Sequence, residues 1–598
     1  MPRNRPPHPA AARTSPHPGP RSPPVTAQNL RPTTDGPPEP DAPPADGPSG
    51  ADRPGTGRTS AARSSLTMAV GTMASRVTGF VRTVVLAAAI GTQLLGDAYT
   101  AANTIPFIVY DLLIGGLMAS VIVPFLVRRR RSDPDGGAAT EQRLFTLACA
   151  LLVALTVAGV LAAEALISMY AGAFTGAQRE VAVLLARYLL VQIFFVGISG
   201  LSSAMLNTRG RFGPPVWAPV LNNLAIIGVG AAFLLTDGPG ATPETISPAQ
   251  VALLGAGTVC GVALQAAVLQ WSLRSTGFRW RPRLDLRGSG LGEAARAAGW
   301  TFVLVCTMQA GFLVTANLAT RAGVRAAAEE VPVGAGLTAY NYAYQLFQLP
   351  YAIIAVSIIT VLLPRMSEHA ADGDWPRLRD AFSRGLRTAT ALLLPAGAAM
   401  AVFAPQICVL LFARGATSTA DAAAIGQVLA VFAAGLIPFT GYQLLLRAFY
   451  ACGDTRTPAL LAIGNMAAHT AMALLAYAVL PPGRAVAGIA GGFMLSYLVG
   501  LVIGAQVLRR RLGGLHLRST AVSLLRLHLA AAPAAAAGWI TGRALGGVLG
   551  TGPAGLALTC LTGAAAIAGV YALACLLLRA PEVRDAAARL RRPLRRRG

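Results

Sequence analysis

Fourteen apolar stretches follow one another along this chain, and each is close to the roughly 20 residues that an α-helix needs to cross hydrocarbon. They fall at 65–90, 98–127, 144–171, 181–207, 213–236, 249–273, 294–321, 333–364, 382–413, 420–449, 456–480, 485–508, 520–546 and 552–579. Inside lipid no water satisfies a free N–H or C=O, so segments of this length must be helical. The chain therefore reads as an all-α polytopic membrane protein with about fourteen transmembrane helices. Composition agrees where it discriminates: 13% of the 598 residues are charged, against about 25% in a soluble domain.

The loops carry the orientation. No lysine occurs, so the net charge of +24 rests on arginine. A basic chain can signal nucleic acid, but these arginines gather at the ends of apolar stretches, and no nucleic-acid partner is expected. The first loop, 91–97 (GTQLLGD), has no arginine, the second, RRRRSDPDGGAATEQR, has five, and the fifth, TDGPGATPETISP, has none. The third holds only Arg179, and the fourth holds Arg209 and Arg211. The sixth, eighth and twelfth are basic again, the last through Arg509, Arg510, Arg511 and Arg518. Odd loops are poor and even loops rich, which under the positive-inside rule puts the even loops and both termini in the cytoplasm.

Composition also suggests divisions. Residues 1–63 are rich in Pro, Gly, Ala, Ser and Thr and cannot bury enough surface to fold, so a disordered cytoplasmic tail is expected there. Residues 64–275 would hold spans one to six, 276–293 a basic linker, 294–508 spans seven to twelve, 509–579 the last two spans, and 580–598 a basic tail. The two six-span blocks echo each other. NTRGRFGPPVWAPVLNN (Asn207 to Asn223) aligns without a gap on YACGDTRTPALLAIGNM (Tyr450 to Met466). Gly210 meets Gly453, Pro215 meets Pro458 and Asn222 meets Asn465. A weaker echo pairs Val121 to Pro124 with Val361 to Pro364. An offset of six spans keeps the halves in the same orientation, related by an axis along the membrane normal, as in parallel-repeat transporters.

Ionisable residues inside spans mark candidate function, because each costs about 2.5–3.5 kcal/mol on insertion scales. Arg76 and Arg82 lie in the first span and Asp111 in the second. With entry near residue 65, Arg76 sits about 16 Å deep at 1.5 Å per residue. A water-filled cavity that binds an anion is one reading of these arginines; snorkelling or pairing, with Asp111 for instance, is the other. Glu164 in the third span and His469 in the eleventh are titratable candidates for coupling, although an interhelical hydrogen bond is the commoner role for both. Arg187 and Tyr188 read as structural, and Asn222, Asn223 and Asn465 as helix ties. Gln309, Asn317, Asn341 and Gln345 are weaker cavity candidates. The seven cysteines are scattered, with no metal or disulfide spacing. No P-loop, HExxH or nucleophile elbow occurs. Neither catalysis nor a cofactor is expected, so any transport would draw on a coupling ion, the membrane potential or consumption of the product.

Several segments resemble the MurJ/MviN lipid II flippases: SRVTGFVR (Ser75 to Arg82), the GDA at Gly96 to Ala98, the span after QLP (Gln348 to Pro350), LLPRMSEHA (Leu362 to Ala370) and RAFYACGDTRTP (Arg447 to Pro458). The resemblance runs from about residue 65 to 511 or beyond. The Arg/Ala/Gly/Pro bias suits a divergent, actinobacterial-type member. What the resemblance implies is the multidrug/oligosaccharidyl-lipid/polysaccharide exporter fold in the bacterial cell membrane. It also implies movement of the undecaprenyl-diphosphate-linked peptidoglycan precursor to the outer leaflet by alternating access. By that likeness Arg76 and Arg82 match the family's two first-span arginines, Asp97 its acidic position at the outer rim, and spans 13 and 14 its groove for the prenyl tail. Arginines can bind a diphosphate through bidentate, charge-assisted hydrogen bonds. Expected partners are the lipid-linked substrate and the cell-wall synthesis machinery, the chain acting as a monomer. Two positions depart: Tyr110 and Gln345 stand where family members carry arginine, with Asp111 beside the first. A flippase for another polyprenyl-linked glycan, a cation-coupled drug exporter and a non-transporting cell-wall scaffold are the alternatives.

Overall fold

The structure, a computed structural model, describes residues 56–111, 126, 129–130, 135–237, 240–283, 299–331 and 336–582. The described residues contain no strand. The first lobe consists of α1 (Thr56–Ile90), α2 (Leu94–Tyr110), α3 (Ala138–Leu161), α4 (Ala163–Tyr170), α5 (Gly176–Leu189), α6 (Gln192–Thr208), α7 (Gly213–Asp237) and α8 (Pro248–Arg274). The second consists of α9 (Gly299–Ala328), α10 (Leu337–Pro350), α11 (Val356–Ala371), α12 (Trp375–Val402), α13 (Ala404–Phe412), α14 (Thr419–Ala434), α15 (Leu436–Ala451), α16 (Arg456–Val479) and α17 (Pro482–Arg511). The chain ends in α18 (Leu517–Leu549) and α19 (Pro553–Leu577). Twelve described helices are long and apolar enough to cross a membrane, and the bent pair α14–α15 makes a thirteenth. The remaining expected span is represented by α2, whose continuation lies outside the described residues.

Several expected boundaries shift, each for a local reason. The first loop shrinks to residues 91–93, because Asp97 lies inside the first turn of α2. The third span breaks at Ala162, so Glu164 opens a short second helix. Span eight passes from Pro350 through a π-helical turn, Tyr351–Ala355, into α11. The proline ring removes an N–H from the ladder and the turn absorbs the mismatch. Span ten bends by 50° where Gly435 joins α14 to α15. There a Cβ would lie 2.3 Å from Met494, so only glycine lets α17 approach so closely. Helix α1 starts at Thr56, inside the segment expected to be a tail.

The internal repeat is visible in atomic detail. At the turn after α6, Arg209 N and Arg211 N donate to Leu206 O, and Gly210 N donates to Asn207 O. At the turn after α15, Cys452 N and Asp454 N donate to Phe449 O, and Gly453 N donates to Tyr450 O. Gly210 and Gly453 have φ of 69° and 71°, the left-handed region that favours glycine. In both lobes the next two helices pack together, α7 on α8 and α16 on α17. In both, an asparagine carbonyl is pressed against a glycine of the partner helix, Asn222 against Gly261 and Asn465 against Gly500. The echo at Val121 to Pro124 lies outside the described residues.

Helices α18 and α19 pack on each other and on α12 and α13. They form a second apolar core around Phe403, Leu527, Ile567 and Tyr571. Gly563 makes room for the Phe403 ring, where a Cβ would sit 2.0 Å from Cζ.

Candidate functional site

Helix α1 touches both lobes at its midpoint. Arg82 Nη1 donates to Asn223 Oδ1 on α7 at 3.2 Å. Asn223 in turn donates to Ser75 O and Thr78 Oγ1, both at 3.1 Å, so its amide is fixed on three sides. One residue beyond Arg82, Thr83 Oγ1 donates across to Gln345 Oε1 on α10 at 2.8 Å. Arg82 is half-buried, and no carboxylate holds it among the described residues. One face of a single helical turn thus carries a guanidinium anchored in the first lobe beside a hydroxyl anchored in the second. Arg76 lies about a turn and a half earlier on α1 and is exposed.

Asp97 does something the sequence did not suggest. It is buried at 2% exposure, and its Oδ1 accepts from Thr338 N at 2.8 Å while Oδ2 accepts from Leu337 N at 3.3 Å. These are orphan donors at the start of α10, so a carboxylate of the first lobe caps a helix of the second. The closure is continued by its neighbours. Thr338 Oγ1 donates to Thr100 Oγ1 at 2.9 Å. Ala416 N donates to Ala88 O at 2.8 Å, and Thr417 Oγ1 to Ala87 O at 2.7 Å. Gln93 Nε2 donates to Asp421 Oδ1 at 3.2 Å and Asn317 Nδ2 to Met169 O at 3.1 Å. All of these contacts join the lobes at the end that carries the odd-numbered loops. Among the described residues, the ion pairs seen at the other end stay within a lobe, as in Glu141 with Arg209 and Asp454 with Arg511.

A cavity of about 310 Å³ lies between α2 of the first lobe and α9, α10, α16 and α17 of the second. Its lining includes Asp111, Gln309, Thr315, Tyr340, His469 and Tyr497, and does not include Arg76 or Arg82. Asp111 accepts from Gln309 Nε2 at 3.4 Å, a partner other than the arginines considered from sequence. His469 is fully buried, bonded through Nε2 to Thr315 Oγ1 at 2.7 Å and packed edge-on to Phe493. Its Nδ1 has no hydrogen-bond partner.

The expected site residues therefore divide. Arg82 and Gln345 share the α1 crossing, Asp111 and His469 share the cavity, and Asp97 belongs to the closed end. Glu164 stands apart, in an exposed ion pair with Arg179 Nη2 at 2.8 Å. Asn222 and Asn465 tie helices. Thr83 and Thr338 were missed: a threonine in an apolar helix carries no signal until its partner, more than 230 residues away, is known. Among the described residues no three His, Cys, Asp or Glu side chains come together as a metal site would require.

Comparison with known proteins follows the same outline. A family model described as "Lipid II flippase MurJ" matches residues 86–554. "Lipid II flippase MurJ" of Burkholderia cenocepacia is 29% identical over 414 residues, covering 67% of this chain and 75% of that protein. Among solved structures, "Lipid II flippase MurJ, inward closed conformation" superposes with a TM-score of 0.68 at 18% identity, covering 87% of this chain and all of that one. An inward-facing multidrug resistance MATE family transporter of the MOP superfamily gives 0.59 at 17% identity, over 73% and 94% of the two chains. At these identities the structures speak for the fold.

Proposed function

Because this multi-pass membrane chain belongs to the family of MurJ lipid II flippases, we propose that it carries lipid II from the cytoplasmic to the outer leaflet by alternating access. The even-loop end would face the cytoplasm of a bacterial cell, together with both termini, as the arginine-rich even loops suggest. One observation supports this reading above the others: among the described residues, and apart from Thr83 with Gln345 and Asp111 with Gln309 midway, the hydrogen bonds between lobes gather at the odd-loop end and leave the arginine-bearing helix at the crossing of the two. That is the arrangement of a carrier closed outward. The diphosphate of the substrate would displace Asn223 from Arg82 and take up its donors, with Arg76 on the entry side; charge-assisted bonds to phosphate are stronger than the neutral amide they replace. Closure of the even-loop end around the cargo would then compete with the Asp97 cap. His469, held by Thr315 on α9, is a titratable group at the wall of the interlobe cavity, where such a movement would be felt.

Arg82→Ala and Arg76→Ala, expressed in cells depleted of their own flippase, test the proposal. Loss of rescue with normal membrane insertion is expected, and full rescue by both would remove the diphosphate role. A second reading, a flippase for another polyprenyl-diphosphate-linked glycan, is favoured by Tyr110 and Gln345 at positions where the family carries arginine. Reconstituted protein offered lipid II and a teichoic-type lipid carrier side by side separates the two, with faster movement of lipid II expected.

A further inference from the structure

A second cavity lies on the outer flank of the first lobe and shares no lining residue with the one between the lobes. It is an open groove of about 650 Å³ bounded by α3, α6, α8 and the segment that follows α8. Its walls are apolar, with Phe145, Phe194, Phe195, Ala263 and Ala267 prominent. The mouth is not. Arg274 and Trp280 line it, and Arg279, Arg281 and Arg283 follow in the same segment, all exposed. No carboxylate bonds any of these four guanidiniums among the described residues.

The segment is fastened in place. Trp280 Nε1 and Arg283 N both donate to Thr146 Oγ1 at 3.1 Å, and Gln142 Nε2 donates to Arg279 O at 3.2 Å. Phe145 packs against the Phe278 and Trp280 rings with centroids 5.6 and 5.7 Å away. Of the polar wall residues, Gln270 is turned inward onto Ser202 Oγ at 2.8 Å and the Thr146 hydroxyl is taken up by Trp280, Arg283 N and Gln142 O, so the groove presents little but hydrocarbon below its mouth. A tryptophan and an arginine cluster above an apolar slot is the order of groups met at a membrane interface, cations at the headgroups and aromatics just beneath.

We propose that this groove binds an anionic phospholipid, with an acyl chain along α3, α6 and α8 and the phosphate among Arg274, Arg279, Arg281 and Arg283. Charge complementarity selects the occupant: four guanidiniums with no pairing carboxylate among the described residues call for an acidic headgroup, and a zwitterionic lipid would bring a choline cation against them. The position on the flank, away from the lobe interface, separates this ligand from transported cargo.

Trp280 supplies the readout. The full chain is reconstituted in phosphatidylcholine vesicles containing equal mole fractions of brominated-acyl phosphatidylglycerol or brominated-acyl phosphatidylcholine, and the Trp280→Phe variant isolates the Trp280 signal. Phosphatidylglycerol is expected to quench Trp280 at a concentration at least about fivefold lower, the factor that about 1 kcal/mol per surface arginine corresponds to. The variant R274Q/R279Q/R281Q should bring the two lipids to parity. Equal quenching in the wild type, or a preference that survives the triple variant, overturns the proposal. So does displacement of the brominated lipid by undecaprenyl phosphate at matched mole fraction, which would assign the groove to the carrier. If the triple variant does not insert, the wild-type comparison decides alone.

Discussion

At the scale of single residues, the polar groups of this bundle divide into those that hold another group in position and those left open. Asn223 holds: it spends both amide protons on α1 and offers its oxygen to Arg82. Because the diphosphate must displace Asn223 from Arg82, Asn223→Asp, whose carboxylate would pair with the guanidinium more strongly, should lower flipping in proteoliposomes by roughly tenfold, the size of about 1.5 kcal/mol for a hydrogen bond to a charged group, while Asn223→Ala should lower it less. A purely structural role would instead lower the melting temperature of both variants alike. Asp454 holds in another way. Burial pushes its carboxyl up, but hydrogen bonds from Thr457 and the Arg511 guanidinium outweigh this and keep it below its ordinary value. A carboxylate depressed in the folded state contributes stability above its unfolded pKa and loses it as pH falls through the folded one. Asp454→Asn should consequently melt lower than wild type at neutral pH, by up to about 1 kcal/mol for the lost ion pair with the partly exposed Arg511. The gap should close in acid.

At the scale of elements, the sequence was most readable where physics is most repetitive. Apolar length alone located the spans, since the bilayer leaves a helix no alternative. The 243-residue offset, first seen in glycine, proline and asparagine letters, reappears as the same three backbone bonds at the turns of Gly210 and Gly453. Around both glycines the space for a Cβ is open, so an added methyl would meet nothing but an unfavourable φ. Gly210→Ala and Gly453→Ala should each cost about 1 kcal/mol and by nearly equal amounts, measured as shifts in thermal unfolding in detergent. Breaks inside spans were less legible. Nothing in AAEALISMY announces that helix three stops at Ala162, where α3 and α4 both pack on α5. The crossing of α1 was half legible: Arg82 and Gln345 stood out as polar letters in apolar spans, but their link runs through Thr83, which did not.

At the scale of the whole molecule, the lobes meet through side chains and backbone atoms far apart in sequence, and this is where letters alone fell short. Asp97 was marked by likeness to a family, yet its role as a cap on α10 depends on a fold that brings residue 97 to residues 337 and 338. That cap can be tested by crowding it. A Cβ on Gly336 would stand 1.7 Å from Asp97 Oδ2, so Gly336→Ala should force the carboxylate off the α10 terminus. Spin labels at positions 180 and 330, on opposite lobes at the odd-loop end, should then report a longer and broader distance distribution than in wild type. An unchanged distribution would mean that the remaining contacts suffice to keep the lobes together.

The seal between the lobes has a further consequence. Carboxylate, hydroxyl and amide groups near the membrane surface can trade each other for solvent with little net loss, since an intramolecular hydrogen bond is worth only about 1 kcal/mol over its hydrated counterparts. Had the same contact been built from leucine and phenylalanine, parting would strand greasy surface in water and the carrier would settle into one shape. If the carrier works by alternating access as proposed, a gate made of wettable parts would swing at thermal energies, leaving the choice of direction to whatever rides inside.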